Sequence, residues 1–466
     1  MAEIKATMAS EQAGKDGHQT VPELARLAEA ASALYQAGRL AEAETAYRAA
    51  LAFAPDNPAV MLNLGVVAAA RGQYREAIAL FDAATARKPR YAAAYYNRAL
   101  AALSLGESQA AIDDLTGVCA LQPEHYDAHR TLGFLWLAQG NRDRALDHFA
   151  RTYELRRGDD RVDLAAKSLT QATRDKLLHD AEQFRFLAGR HQSRRFAALA
   201  RAYEDVGRDF PETLETLSAR QIDRLGEDYN GPIHLGAAAE IAGGALSARN
   251  DLDAIVGAFR ADPAGAVAFD DLLSPEAIKR LKAFLLESTI WHDFNHIGGF
   301  VASYLEDGLA CPLILQIAAE IRSRFAVLLE QQPLTQAWAF KGLKPASAID
   351  IHADDGAVSL NLWLTPDAAN RKPDRGGLVV SMIPPPDDWS IGDYAADQER
   401  IAAFLQRAPQ QRLTVPYREN RAVLFRSRLF HWSDAAEFAD GYENHRINLT
   451  LIYGRGGTAV APAARP

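Results

Sequence analysis

The chain is poor in cysteine, with two, Cys119 and Cys311, in 466 residues. Two thiols cannot build a disulfide framework or a multi-cysteine zinc site, and their scarcity suits a reducing, cytoplasmic compartment. Apolar runs of about 18 residues are missing as well, so no membrane span is expected. The polar stretch Met1 to Thr20 lacks the apolar core of a secretory signal. Nor is there an excess of positive charge: 51 Lys and Arg against 60 Asp and Glu leave a formal charge of −9, a poor starting point for binding nucleic acid. No glycine-rich phosphate loop, serine nucleophile elbow or Cys/His zinc pattern occurs. What is present has globular composition, 48% hydrophobic and 24% charged, which argues against a disordered or fibrous chain. Its length corresponds to about three domains at ~150 residues each.

The first third repeats itself. Gly38, Gly72, Gly106 and Gly140 stand 34 residues apart, and so do Ala43, Ala77, Ala111 and Ala145. Tyr47, Phe81, Leu115 and Phe149 keep the same period, as do Pro55, Pro89 and Pro123, with Arg157 in place of a fourth proline. Each unit reads as two amphipathic helices with a glycine at the turn between them. The small alanine lets the helices approach, the large residue four positions on lies on the same face, and the proline ends the unit. These are packing residues of a stacked core; the functional surface of such an array is its concave face. The stretch Met61 to Pro89 resembles a tetratricopeptide repeat (TPR) almost position by position. The copy from Tyr95 to Pro123 departs from it, with Arg98 and Ala99 where Leu64 and Gly65 stand. The resemblance implies an all-α TPR solenoid of about four repeats over 23–158, after a disordered N-terminus at 1–22.

Residues 159–263 keep a helical pattern without the repeat and read either as a cap on the solenoid or as a small helical linker. Helices are expected within Leu169 to Ala188 and again up to Pro211, with a loop at Asn230-Gly231-Pro232. His179, His191 and His234 read as surface or cap residues. From Val267 the pattern changes to a short strand, a helix opening at Ser274-Pro275, and a longer helix at Leu313 to Glu330. Alternating runs follow at 336–341, 358–364, 377–383, 422–426 and 447–453, which suggests an α+β unit with a β-sandwich or barrel core.

Here lies the constellation that can carry chemistry. His352 and Asp354 are two apart, so in extended backbone they share a face and can reach one ion. His431 closes an apolar run 77 residues after Asp354. Two histidines and a carboxylate make the facial triad of non-haem Fe(II) oxygenases, with three coordination positions left open. Arg446 follows His431 by fifteen residues, on the run "HRINLTLIYG". Ser359, Asn361 and Trp363 alternate along one strand face; alternatively, Trp363 packs and Asn361 caps a buried backbone group.

On these residues, 264–457 resembles the 2-oxoglutarate/Fe(II)-dependent dioxygenases, which implies a double-stranded β-helix (jelly-roll) fold, with a flexible tail at 458–466. The resemblance implies that His352, Asp354 and His431 hold Fe(II). It implies that Arg446 pairs with the far carboxylate of 2-oxoglutarate, a task for which a guanidinium fork is suited. Asn448, Asn361 and Trp363 become further 2-oxoglutarate contacts. The "RINLT" string is similar to that of nucleic-acid dealkylating members, but Ile452 stands where their second arginine would be. The long spacing before His431 is taken up by a Pro384-Pro385-Pro386 break and a helix over Tyr394 to Arg407, either a lid or substrate wall or a plain surface insertion. Arg426 and Arg428 are expected to face solvent. His292 and His296 are read as loop, helix-end or substrate-contacting residues, and His445 is expected to point away from Arg446.

The function this implies is hydroxylation of a peptide or protein recruited on the TPR concave face, with Fe(II), 2-oxoglutarate and O2 and with no nucleic acid or membrane partner. The alternatives are a small-molecule oxygenase whose repeats oligomerise it, and a TPR scaffold with a non-catalytic oxygenase-like domain. Oligomeric state is left open.

Overall fold

A computed structural model of the chain describes residues 20–159, 169–226, 228–262, 264–294, 299–344, 349–395, 397–407 and 411–454. The expected tail at 458–466, most of the expected disordered N-terminus, and His296 lie outside them. The chain divides into two compact units, 1–135 and 136–466. The boundary therefore falls inside the last expected repeat rather than at 158/159, and the expected linker at 159–263 belongs to the second unit.

The elements of the first unit among the described residues are all helices. It contains α1 (Thr20–Gln36), α2 (Leu40–Phe53), α3 (Pro58–Ala70), α4 (Tyr74–Arg87), α5 (Ala92–Ser104), α6 (Ser108–Leu121) and most of α7 (Tyr126–Ala138). Gly38, Gly72 and Gly106 turn the chain between paired helices at φ 74°, 78° and 77°, a left-handed conformation that explains their period. Asn57 caps α3 by accepting from the Ala59 and Val60 amides, with Pro58 at the first helical position. The periodic residues are the core: Ala43, Tyr47 and Ala50 pack with Val60, Leu64 and Val67. Phe81 lies so close to Gly65 that a Cβ there would sit 2.5 Å from its ring. Arg98, at the position of Leu64 in the better copy, replaces apolar contact with ion pairs to Asp82 and Asp114.

The second unit opens with α8 (Arg142–Arg157), then a two-residue strand β1 (Gln171–Ala172), α9 (Arg174–His191) and α10 (Arg194–Arg208). Next come β2 (Glu215–Thr216), α11 (Ala219–Leu225), α12 (Leu252–Ala261), β3 (Ala266–Phe269), α13 (Pro275–Glu287), β4 (Phe300–Tyr304), α14 (Pro312–Arg324) and α15 (Ala326–Leu329). The helix expected over Leu313 to Glu330 is thus two helices. Ser274 caps α13 with Pro275 at its first position, as the Ser-Pro signal implies. The remaining elements are β5 (Leu334–Gly342), β6 (Val358–Trp363), β7 (Leu378–Ser381), α16 (Ile391–Ala395), α17 (Gln398–Arg407), β8 (Arg412–Val415), β9 (Ala422–Arg426), β10 (His431–Ser433) and β11 (Ile447–Tyr453).

Besides the short antiparallel pair β1-β2, two larger antiparallel sheets result, one of order β3-β9-β6-β11-β5-β4 and one of order β10-β7-β8. After β6 the chain alternates between them: β7 and β8 in the small sheet, β9 in the large, β10 in the small, β11 in the large. Trp363, Val423 and Phe425 of the large sheet share one apolar cluster with Leu378, Val380 and Val415 of the small sheet. The opposite face of the large sheet meets helices, where Tyr453 Oη donates to the Ala318 carbonyl on α14. No helix among the described residues is long and apolar enough to cross a membrane.

Arg157 shows why the repeat stops. Where earlier units carry proline, its guanidinium is buried and forms a bidentate pair with Asp307, at 2.8 and 2.7 Å. Burial alone would push the Asp307 carboxyl up, but the charge and hydrogen bonds of Arg157 outweigh it and hold the group at about 2. Asp307→Ala should remove the carboxylate that faces the buried Arg157 guanidinium and cost about 3–5 kcal/mol, read as a lower urea midpoint at unchanged slope. Because the folded value is depressed, the wild-type contribution is complete above the ordinary carboxylate value of 3.8 and is lost as pH falls toward 2. The difference between wild type and variant should therefore shrink across that window and be constant above it.

Candidate functional site

The register of the large sheet decides which side chains meet. On β11, Asn448 and Thr450 point away from the helices. Asn448 lies opposite Trp363 on β6 and Phe340 on β5; Thr450 lies opposite Asn361 and Trp338. All six line one cavity of about 340 Å³, with Leu378 and Ser433 from the small sheet. Arg446, one residue before β11 and two before Asn448, enters the same cavity.

His352 and His431 line it too. They face each other across an isolated antiparallel bridge, in which each backbone amide donates to the other residue's carbonyl, at 3.1 and 2.8 Å. The bridge sets the imidazole centroids 4.3 Å apart. The Asp354 amide donates to the Ser427 carbonyl, and its carboxylate reaches both rings: Oδ1 is 3.6 Å from His352 Nε2 and Oδ2 is 3.6 Å from His431 Nε2. One donor atom from each of the three residues lies within 4.8 Å of the others.

The tautomers are set by backbone. His352 Nδ1–H donates to the Asp350 carbonyl at 2.8 Å and His431 Nδ1–H to the Leu429 carbonyl at 2.9 Å. A carbonyl only accepts, so each Nδ1 carries the proton and each Nε2 lone pair turns to the centre. Burial, with the nearby His352 ring, lowers His431 to about 4, so it is neutral at pH 7. Ser359 Oγ donates to Asp354 Oδ2 at 2.8 Å and lies 2.9 Å from Ser427 Oγ. Two imidazoles with Nε2 turned inward and an oriented carboxylate form a donor set that fits one divalent first-row metal ion with open positions.

Beside this set is a buried cation with no ion-paired carboxylate. Arg446 Nη1 donates to Ser433 Oγ and Nη2 to the Gly377 carbonyl, both at 3.1 Å. Ser433 is two residues beyond His431, on the same face of β10. Among the described residues no carboxylate pairs with Arg446, and its Nε is buried with no partner. Burial lowers its guanidinium to about 10, which still leaves it charged at pH 7. Three further buried atoms of cavity-lining residues lack partners: Trp338 Nε1, Trp363 Nε1 and Asn448 Oδ1. An anionic ligand with both acceptor and donor capacity would satisfy what the protein leaves open.

The structure thus gathers all seven predicted residues: His352, Asp354 and His431 as a donor cluster, and Arg446, Asn448, Asn361 and Trp363 in the cavity wall. Asn361 is engaged within the wall, where its Oδ1 accepts from Thr450 Oγ1 at 2.7 Å. Trp363 stacks on Tyr417 at 5.4 Å, so it also packs. Sequence reasoning missed Trp338, Phe340, Thr450 and Ser433. Thr450 follows from the parity of Asn448, and Trp338 and Phe340 from alternation along β5; Ser433 carried no signal of its own.

Several expectations are corrected. The insertion at 384–417 holds two helices, α16 and α17, not one, and none of its described residues lines the cavity. Instead Ile401 and Leu405 pack against Ala353 and Phe430, the neighbours of His352 and His431, so it buttresses the donors. Arg426 is exposed as expected, whereas Arg428 reaches Asp387 and the Pro386 carbonyl of the insertion. His179 is buried, not a surface residue: it lies 3.0 Å from Asp180 on a polar face of α9 that the unit covers, and burial lowers it to about 3. His292 is buried between Tyr153 Oη and Asn230 Oδ1, which leaves it no substrate contact. His445 precedes β11, where strand alternation does not apply, and lines with Arg446 a second cavity of about 550 Å³ while bonding Glu182.

Comparison with known proteins bears on the repeats. Tetratricopeptide-repeat family models match residues 34–103 and 92–125, so this N-terminal region carries TPR repeats. MamA from Desulfovibrio magneticus RS-1 is similar at 27% identity over 29% of this chain and 77% of its own, with a TM-score of 0.28. An O-GlcNAc transferase mutant from Thermobaculum terrenum is similar at 26% identity over 29% of this chain and 27% of its own, with a TM-score of 0.27. No curated protein matches the chain.

Ser359 offers a test of the donor cluster. Ser359→Ala removes the hydroxyl that orients Asp354 and should weaken Mn²⁺ binding about 10-fold or more, measured by calorimetry on the metal-free protein.

Proposed function

We propose that the second unit is a 2-oxoglutarate- and Fe(II)-dependent dioxygenase with a double-stranded β-helix core. The passage of the chain between two facing antiparallel sheets supports that fold. The observation that carries the functional reading is the buried guanidinium of Arg446, with no carboxylate in ion-pair contact, beside two imidazoles and an oriented carboxylate. A metal site alone has no use for such a cation. A dicarboxylate cosubstrate that chelates at one end and forms a salt bridge at the other uses both.

On this reading His352, Asp354 and His431 hold Fe(II), and Arg446 binds the distal carboxylate of 2-oxoglutarate. When bound with O2, this pair supplies oxidative decarboxylation to succinate and CO2 coupled to hydroxylation of an unactivated C–H bond. The chain's own residues position and shield. The Asp350 and Leu429 carbonyls hold the imidazoles in one tautomer, and Ser359 aims the carboxylate. Trp338, Phe340, Trp363 and Leu378 form apolar walls that strengthen the Arg446 charge by excluding water. Trp338 Nε1 and Asn448 Oδ1 are free to order a bound ligand. TPR arrays commonly bind peptides or proteins, so we assign the substrate to a peptide or protein side chain held on the repeats.

The test is anaerobic titration with Fe(II) and 2-oxoglutarate, following the visible charge-transfer band of a chelated keto acid together with calorimetry. Wild type should show the band and His352→Ala should lose it. Arg446→Ala should weaken 2-oxoglutarate by roughly 30-fold or more, about 2 kcal/mol, because a buried charge partner is truncated. Arg446→Lys should recover only part of this, since an ammonium lacks the fork. Absence of both the band and 2-oxoglutarate binding in wild type would refute the reading.

A further inference from the structure

A second convergence of metal-ligating side chains lies among residues that the chemistry above does not use. His191 is the last residue of α9, Glu287 the last of α13, and His234 belongs to the irregular segment between α11 and α12. One donor atom from each lies within 4.8 Å of the others. His191 Nε2 is 3.5 Å from Glu287 Oε2, and the two imidazole centroids are 5.0 Å apart at an interplanar angle of 63°. Phe196 flanks both rings as an apolar wall.

The three residues are held in place before any ligand arrives. The His234 amide donates to Thr289 Oγ1 at 2.9 Å, and its carbonyl accepts from the Thr289 amide at 2.8 Å and from Thr289 Oγ1 at 3.1 Å. Arg190 Nε donates to Glu287 Oε1 at 3.2 Å, which leaves Oε2 turned to His191. Two helix C-termini meet here, and their partial negative charges favour a cation. The remaining polar need is specific: His234 Nε2 is buried and has no hydrogen-bond partner.

We propose that His191, His234 and Glu287 form a zinc site that clips the segment around His234 to the ends of α9 and α13. Two imidazoles and one carboxylate are a ligand set that zinc takes with water in the fourth position. The site needs no redox chemistry, and the exposure of His191 gives the ion a path in. The rival state has no metal: His191 meets Glu287 directly, and His234 Nε2 stays unpartnered. The proposal stands apart from the dioxygenase reading, since it shares no residue with the triad.

Full-length protein stripped by a chelator would be titrated with ZnCl2 by calorimetry, and with Co²⁺ in the visible for a tetrahedral spectrum. His191→Asn, His234→Asn and Glu287→Gln would be compared with His352→Ala. The expected result is one zinc equivalent that survives His352→Ala and is lost in each of the other three, while their melting temperatures in chelator match metal-free wild type. Zinc should raise the melting temperature of His352→Ala and leave that of His352→Ala/His234→Asn unchanged, because only a native-state site stabilises. Unchanged zinc stoichiometry and affinity in His191→Asn and Glu287→Gln would overturn the proposal, and so would loss of all zinc binding in His352→Ala alone. Failure of His352→Ala to remove any metal equivalent would count against the triad and not against this site.

Discussion

The candidate site depends on one backbone contact, the reciprocal bridge between His352 and His431. These residues belong to separate segments of irregular and edge structure, and two amide–carbonyl bonds hold them face to face. Two other carbonyls, those of Asp350 and Leu429, each two residues before a histidine, take the Nδ1 protons and turn both Nε2 atoms inward. The packing around the bridge follows from this demand. Ala353 and Phe430, each next to a histidine, are covered by Ile401 and Leu405 from the long insertion. An insertion that looks dispensable in length is thereby tied to the precision of the donors.

The electrostatics of the cavity follow a second constraint. Burying a guanidinium without a counter-ion is costly, and proteins ordinarily offset it with a carboxylate. Arg157 has such a partner in Asp307, whereas Arg446 bonds a serine hydroxyl and a carbonyl and has Asp434 nearby but not in ion-pair contact. The contrast between two buried arginines in one unit separates a structural role from a ligand-binding one. Lys341 illustrates a third solution: fully buried, it donates to Tyr442 Oη and lies over the Trp291 and Tyr442 rings. Burial drives its pKa well below the ordinary lysine value.

Legibility from sequence differed by element. The 34-residue period revealed the paired helices because every unit must satisfy the same turn and the same close approach, and Gly65 against Phe81 shows how little freedom that leaves. The strands β5, β6, β9 and β11 were visible as apolar runs bounded by Pro, Gly and Asp. The short strands β3 and β7 were legible too, as apolar runs beside turn residues, whereas β4, β8 and β10 were not read as separate strands. The polar face of α9 read as solvent-exposed because charge normally implies exposure; its burial with Lys176, His179 and Asp180 depends on neighbours far along the chain.

Local rules were enough to establish the repeats, the glycine turns, the Ser-Pro helix start and the shared face of His352 and Asp354, because each is a matter of a few adjacent residues obeying sterics and period. The resemblance to the 2-oxoglutarate/Fe(II)-dependent dioxygenases, carried by the run from His431 to Gly454, singled out His431 and Arg446 as partners of that pair. Tertiary structure decided the rest: the bridge joining His352 to His431, the unpaired state of Arg446, the wall built by Trp338 and Phe340, and the meeting of His191, His234 and Glu287. Those features are relations between segments tens to hundreds of residues apart, and strand register and helix packing bring them together only when the whole unit folds.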